Sequence, residues 1–131
     1  MKVNDVMLSL NNFPVVKQEL FFKEALDVMN EKKLGIACVV DQDYVLKGIL
    51  TDGDIRRKLL RVQKSLSALF VDDCIDHAIL SPKTIDINDS LELAVNLMGE
   101  KRVWDLPVVE NGILKGLLHL HPLVDALLKA R

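Results

Sequence analysis

The amino-acid sequence predicts an α+β fold: two tandem β-α-β-β-α units packed through their sheets. Three observations carry this. The chain repeats itself, each repeat alternates helical with extended apolar periodicity, and one unit alone is too small to cover its own sheet. Ala25-Leu26-Asp27-Val28-Met29 matches Ala94-Val95-Asn96-Leu97-Met98, and Cys38-Val39-Val40-Asp41 matches Pro107-Val108-Val109-Glu110; 94 − 25 and 108 − 39 both give 69. After a one-residue gap, Leu46-Lys47-Gly48-Ile49-Leu50 matches Leu114-Lys115-Gly116-Leu117-Leu118. Upstream, Pro14-Val15-Val16 precedes the first copy as Pro82-Lys83-Thr84-Ile85 precedes the second. These matches in one order mark a duplication.

Each copy begins with a short extended segment, Val15-Val16 or Thr84–Ile87, that leads into a helix. In the first copy Phe22, Ala25, Leu26, Val28 and Met29 recur at helical spacing, and Leu34-Gly35 is the expected stop. In the second, Leu91, Ala94, Val95, Leu97 and Met98 do the same behind Asn88 or Asp89 as N-cap. Paired strands follow at Ile36–Val40 with Tyr44–Leu50, and at Leu106–Val109 with Ile113–Leu118, joined by the polar turns Asp41-Gln42-Asp43 and Glu110-Asn111-Gly112. A second helix closes each copy, from Asp54 to about Val62 and from Pro122 to about Lys129; Pro122 suits a first turn, where no N–H is needed. The expected boundaries are 1–63 for the first motif with its lead segment, 64–78 for a linker with Ser65 and Ser67 as turn or cap residues, and 79–131 for the second motif.

Composition narrows the function. The chain has 131 residues, 50% hydrophobic and 27% charged, with a formal charge of −2. That balance suits a soluble globular protein and argues against nucleic acid as main partner, since backbone phosphates call for a basic face. No apolar run reaches the length of a membrane span, and the first residues lack a signal peptide's apolar core, so a cytoplasmic location is expected, with no membrane partner. Cys38, inside Ile36-Ala37-Cys38-Val39-Val40, reads as a small buried hydrophobe; a disulfide with Cys74 stays open. No nucleophile elbow, Walker loop, zinc pattern or paired-carboxylate site is visible, so no enzymatic activity or required cofactor is expected of this chain.

The chemistry concentrates where the third strand gives way to a helix. Thr51 and Asp54, three residues apart across that junction, can face one ligand at the helix N-terminus. A carboxylate has two acceptor oxygens for vicinal ribose hydroxyls, and the Thr51 hydroxyl and first helical N–H groups can donate to a phosphate. Arg56 and Arg57, one turn on, are candidates for charge-assisted phosphate contacts. The plainer alternative is that Asp52 or Asp54 caps the helix and complements its dipole, with the arginines solvated. In the second copy Thr51 aligns with His119 and Asp54 with Pro122, which predicts two unequal sites. His119 and His121, read as strand residues on one face, are candidates for contact with an acidic or phosphorylated ligand, while two histidines alone make no metal site. His77 reads as a linker-surface residue. Trp104 either packs in the core or stacks on a ligand or partner, with packing favoured.

The duplicated strand-helix-strand-strand-helix order, with Gly48-Ile49-Leu50-Thr51-Asp52-Gly53-Asp54 at the junction, resembles the CBS domain pair, or Bateman module, over essentially the whole chain. Gly48–Arg57 and Gly116-Leu117-Leu118-His119-Leu120-His121 are similar to the CBS pair at the C-terminus of arabinose-5-phosphate isomerases. The run Thr51–Arg57 also resembles CBS pairs attached to sugar nucleotidyltransferases. The resemblance implies a regulatory module in which Thr51 and Asp54 hold the phosphate and ribose of an adenine nucleotide (AMP or ATP), with the base against Pro14, Val15 and Val16. In the isomerase-like case it implies a CMP-sugar as inhibitory ligand and a covalently linked or associated catalytic domain. It also implies a homodimer, in which two pairs form a flat disk. A purely structural dimerisation module is the alternative.

Overall fold

The first structural unit, residues 13–82, is entered on strand β1 (Val15–Lys17), followed by helix α1 (Phe22–Lys32), strand β2 (Ile36–Val40), strand β3 (Leu46–Thr51) and helix α2 (Asp52–Arg61). A short helix α3 (Leu66–Phe70) and a two-residue strand β4 (Ile79–Leu80) complete it. The computed structural model describes residues 1–130. In sheet order β1-β2-β3-β4, β1 runs parallel to β2 and the other neighbours are antiparallel. Every residue of β2 is buried, as expected of a central strand covered on both faces. Helix α1 lays Phe22, Ala25 and Met29 on the sheet, where they meet Val16, Val39, Leu50 and Ile55.

The second unit joins Met1–Asn12 to the chain from Lys83 onward. Its strands are β5 (Ile85–Asp86), β6 (Asp105–Glu110) and β7 (Ile113–His119), in that order, with helices α4 (Leu91–Lys101) and α5 (Leu120–Lys129). Leu91, Ala94 and Met98 of α4 pack on Leu106, Val108, Leu118 and Leu123. The two hairpins are copies down to their irregularity: the register shifts at Val39/Val40 in one and at Val108/Val109 in the other. The CBS-type architecture expected of the duplication, two motifs each with a sheet and helices, is the one observed.

Packing groups the chain differently from the sequence boundaries 1–63, 64–78 and 79–131. The outer edge of β3 is closed by β4, and the corresponding edge of β7 is bridged at Leu117 by Leu8, with both backbone bonds made (2.8 and 3.1 Å). The lead segment Met1–Asn12 therefore packs with the second motif, and residues 64–82 pack with the first. Nor is 64–78 a plain linker. Ser65 caps α3, Leu69 and Cys74 are buried in the core, and the helical turn Cys74–His77 leads into β4.

Local differences have local causes. Ser90, not Asn88 or Asp89, caps α4, accepting from Leu93 N; Asp86 and Asp89 instead bond backbone amides in the preceding turn. Helix α1 stops at Lys33 in the left-handed region (φ 56°), before Leu34-Gly35, and Arg102 repeats this after α4 (φ 55°). Helices α2 and α5 start two residues earlier than expected, so Pro122 is the third residue of its helix, still in the first turn where its missing N–H has no intrahelical partner. Cys38 and Cys74 are both buried, and no disulfide joins them. Burial pushes the Cys74 thiol up to about 11, and its Sγ donates to the Lys17 carbonyl at 3.2 Å.

Edge closure depends on two glycines. A Cβ at Gly48 would lie 2.8 Å from the Ile79 carbonyl oxygen, and one at Gly116 would lie 2.7 Å from that of Leu8. Backbone oxygens in a paired edge cannot retreat as a side chain can. Gly48→Ala and Gly116→Ala are each expected to lower stability by about 1–3 kcal/mol in urea unfolding. A change below about 0.5 kcal/mol in both would show that the edges do not hold the units together.

Candidate functional site

Strand β3 ends at Thr51, whose extended backbone (φ −127°, ψ 151°) makes it the N-cap of α2. Asp52 N bonds the Gly35 carbonyl (3.0 Å) and Asp54 N bonds Thr51 Oγ1 (3.2 Å), so the junction is held by capping. Thr51 and Asp54 face each other directly. The Thr51 hydroxyl donates to Asp54 Oδ2 at 2.6 Å, and Arg57 Nη2 donates to Asp54 Oδ1 at 2.6 Å. The hydroxyl proton is thus directed to Asp54. The Thr51 hydrogen bond, more than the Arg57 pair, holds the Asp54 carboxyl below the usual carboxylate range, while partial burial opposes both. Asp54 is ionised at neutral pH.

A cavity of about 260 Å³ opens beside Asp54, lined by Lys58, Arg61, Val62, His77, Ala78 and Ile79. Asp54, Arg57, Lys58 and Arg61 stand at i, i+3, i+4 and i+7 on one face of α2, and Arg56 falls on another. The candidate Arg56 is exposed and not brought to this cavity. Lys58 and Arg61 escaped the sequence reading, although their spacing from Asp54 is legible once the helix is assigned. Lys58 Nζ donates to the Asp76 carbonyl at 3.0 Å, a neutral partner that leaves its charge uncompensated.

His77 is not on the surface. Its side chain is 6% exposed, its ring lies 4.6 Å from that of Phe22, and Nε2 is 2.9 Å from Asp72 Oδ2. Nδ1 is buried without a partner. Asp72 also accepts from Lys64 at 2.9 and 3.0 Å; that bond and the one from His77 lower its carboxyl.

On β1 the two valines differ. Val16 is buried in the core, so its side chain is closed to any ligand. Pro14 O and Gln18 N bond β2, which puts Val16 on the bonded side of the ladder and Val15 on the open edge. Val15 pairs with Cys38 and Thr51 with Ile36, so they lie two strand spacings and two residues along the strand apart, about 12 Å. A larger cavity of about 390 Å³, lined by Asn30, Lys33, Gly35 and Asp52 among others, holds none of the candidate residues.

The second unit repeats the junction with other chemistry. Leu120 N bonds the Trp104 carbonyl (2.9 Å) as Asp52 N bonds Gly35, and His119 takes the N-cap place of Thr51 without a side-chain cap. Its Nδ1 lies 2.6 Å from Asp105 Oδ1 instead. Burial pushes the Asp105 carboxyl up against the pull of His119. This carboxylate was missed in the sequence, although counting back from the 110–113 turn through the bulge sets Asp105 opposite His119. His121 lies in the first turn of α5 and is exposed, so the strand-face pairing of the two histidines does not occur. Trp104 is 69% exposed and does not fill the core of its unit. Among the described residues no three His, Cys, Asp or Glu side chains converge as for a metal, and no helix is long and apolar enough to cross a membrane.

The repeated fold and the Thr–Asp junction define a regulatory binding module, and comparison with known proteins names it. The CBS domain model matches residues 3–61 and 75–129, and the chain belongs to the CBS domain family, as a CBS pair. CBS domains are regulatory modules rather than catalytic ones. CBSX2, a CBS-pair protein of Arabidopsis thaliana, has been solved in complex with AMP; that structure is 31% identical, with a TM-score of 0.85, over 98% of this chain and 97% of its own. Arabinose 5-phosphate isomerase KdsD of Escherichia coli is 29% identical over 96% of this chain and 37% of its own length. An uncharacterized protein of Helicobacter pylori is 38% identical over 98% of this chain and 38% of its own. The chain spans less than two fifths of the length of these two curated relatives.

Two outcomes follow from the Thr51–Asp54 pair. Thr51→Ala removes the cap and is expected to cost about 1 kcal/mol in urea unfolding. Because the folded Asp54 carboxyl lies below its unfolded value, its contribution is present above the usual carboxylate range and is lost as pH falls through the lowered one. The stability gap between wild type and Asp54→Asn should therefore be constant from pH 7 to 5 and narrow progressively as pH falls below the usual carboxylate range. A gap that does not narrow on acidification contradicts the assignment.

Proposed function

We propose that this chain is the ligand-sensing part of a larger regulated protein and binds a nucleotide at the β3–α2 junction. One observation carries the reading: an ionised Asp54 at that junction, beside a cavity whose other charged side chains, Lys58 and Arg61, are cationic. A carboxylate suits a ribose diol, and cations suit the phosphate. Thr51 acts through Asp54, by fixing the orientation of its carboxylate. Arg57 is assigned to the phosphate and the open edge at Val15 to the base. The AMP complex of CBSX2, a relative over nearly its whole length, supports an adenine nucleotide such as AMP or ATP as the first candidate. Similarity to KdsD supports a sugar-phosphate isomerase as the regulated catalytic domain, with a CMP-sugar as the second candidate; a sugar nucleotidyltransferase is the alternative host. A cytoplasmic location fits each of these. His119 and His121 stand at the second, unequal junction, where a carboxylate already bound by imidazole disfavours a ribose.

A second reading, a homodimerisation module with no bound nucleotide, has its own support. An apolar cavity of about 270 Å³ runs between α4 and α5, lined by Val95, Met98, Val103, Leu123 and Leu127, and Leu128 beyond it is exposed. A second copy of the chain is the occupant in that reading.

Thermal unfolding of the chain with AMP, ATP, CMP and CMP-sugars separates the two. The nucleotide reading expects a rise of several degrees with at least one compound at about 100 times its Kd, where mass action supplies about 2.7 kcal/mol, and its loss in Asp54→Ala. No shift with any of them, together with a dimer by sedimentation, would leave the dimerisation module standing.

A further inference from the structure

Resting on the self-association of the second reading above, with or without a bound nucleotide, we propose that two molecules of this chain pair crosswise. The α2 face of the first unit in each molecule docks on the α4–α5 groove of the second unit in the other.

The closing helices of the two units correspond residue for residue, Asp52–Arg61 with Leu120–Lys129; 120 − 52 and 129 − 61 both give 68. Both keep a leucine pair on the outside. Leu59 and Leu60 are 43% and 78% exposed, and Leu127 and Leu128 are 36% and 60% exposed. Among the described residues no large hydrophobic side chain is more exposed than Leu60. A leucine pair that stands in both units while its neighbours differ, and that neither unit buries, marks a contact surface.

The flanks of the two pairs are complementary. One turn before Leu60, on the same side of the helix, stand Arg56 and Arg57; before Leu128 the corresponding residues are Val124 and Asp125. The grooves differ in the same sense. The first unit's carries Asn30, Lys33 and Asp52, whereas the second unit's, with Val95, Val124 and Leu127, is apolar. Pairing like with like about a twofold axis sets arginine against arginine in one contact and aspartate against aspartate in the other. Crossed pairing sets arginine against Asp125 and buries Leu59 and Leu60 on the apolar groove. Arg57 is tied to Asp54 in its own chain, so Arg56 is the cation this contact uses. Asp125 is open to it, because its bond to Lys129 (3.0 Å) joins side chains 57% and 77% exposed, where an ion pair contributes little. The same contact made twice closes the pair.

Sedimentation of the whole chain tests this with Leu60→Asp, Leu128→Asp and their equimolar mixture. Crossed pairing puts an aspartate in both contacts of either variant, so each alone is expected to be monomeric where wild type is dimeric. In the mixture both aspartates fall in one contact and the other is intact. The mixed pair should then form at least about tenfold more tightly than either variant pairs with itself. Like-with-like pairing predicts the reverse, an intact contact in each variant and none in the mixed pair. Should either aspartate unfold the chain, as read by circular dichroism, Leu60→Asn and Leu128→Asn take its place. Dimers undiminished by the single substitutions, or a mixture no tighter than they are, overturn the crossed pairing alone. A monomeric wild type overturns self-association itself and the pairing with it.

Discussion

Each unit of this protein has to close one sheet edge that its own β-α-β-β-α segment leaves open, and much else follows from that requirement. A bare edge on β3 or β7 would expose a row of unpaired amides and carbonyls. The closing residues come from the stretch that precedes the other copy in sequence: β4 follows α3 and pairs with β3, and Leu8 precedes β1 and bridges to Leu117. Structural and sequence units therefore cross. The crossing requires glycine at Gly48 and Gly116, where a backbone oxygen comes too close for any side chain. It also makes the second unit depend on contacts between residues more than a hundred positions apart, which adds loop-closure entropy to its assembly.

What the sequence made legible was whatever repeats locally. The strands Ile36–Val40 and Ile113–Leu118, the helical stripe through Ala25 and Met29 and its copy through Ala94 and Met98, and the N-terminus of α2 all follow from periodicity over a few residues. What it hid was set by partners distant in sequence. His77 read as a surface residue because nothing near it in sequence shows that Asp72 and Phe22 enclose its ring. Residues 64–78 read as a linker because Leu69 and Cys74 are buried only against α1 and its sheet, which lie far upstream. The α4 cap was ambiguous for another reason: Asn88, Asp89 and Ser90 are all good caps, and competition within the turn decided among them.

The candidate site shows the same division. That Thr51 and Asp54 share a junction follows from spacing. The direction of the proton between them does not, because a hydroxyl can donate or accept and its neighbours decide. In the structure Asp54 N occupies the hydroxyl's acceptor side, which turns its proton to Asp54 Oδ2. Thr51 thereby orients the carboxylate as well as capping the helix. Helical geometry then sorts the adjacent arginines: Arg57 is one turn from Asp54 and meets it, and Arg56 is not.

The two junctions also show why a duplicated fold can hold unequal sites. Backbone bonds shape both turns, Asp52 N to the Gly35 carbonyl in one and Leu120 N to the Trp104 carbonyl in the other. Neither bond depends on the side chains at the junction. Thr51 can therefore become His119, and Asp54 can become Pro122, with the chain path kept. What changes is where the carboxylate stands. In the first unit it comes from the third residue of the helix and is ionised beside cations. In the second it comes from the start of β6, is partly buried, and is bound by the imidazole that replaced the threonine. Main-chain bonding holds the architecture constant, and that constancy is what lets one copy specialise in a ligand while the other diverges.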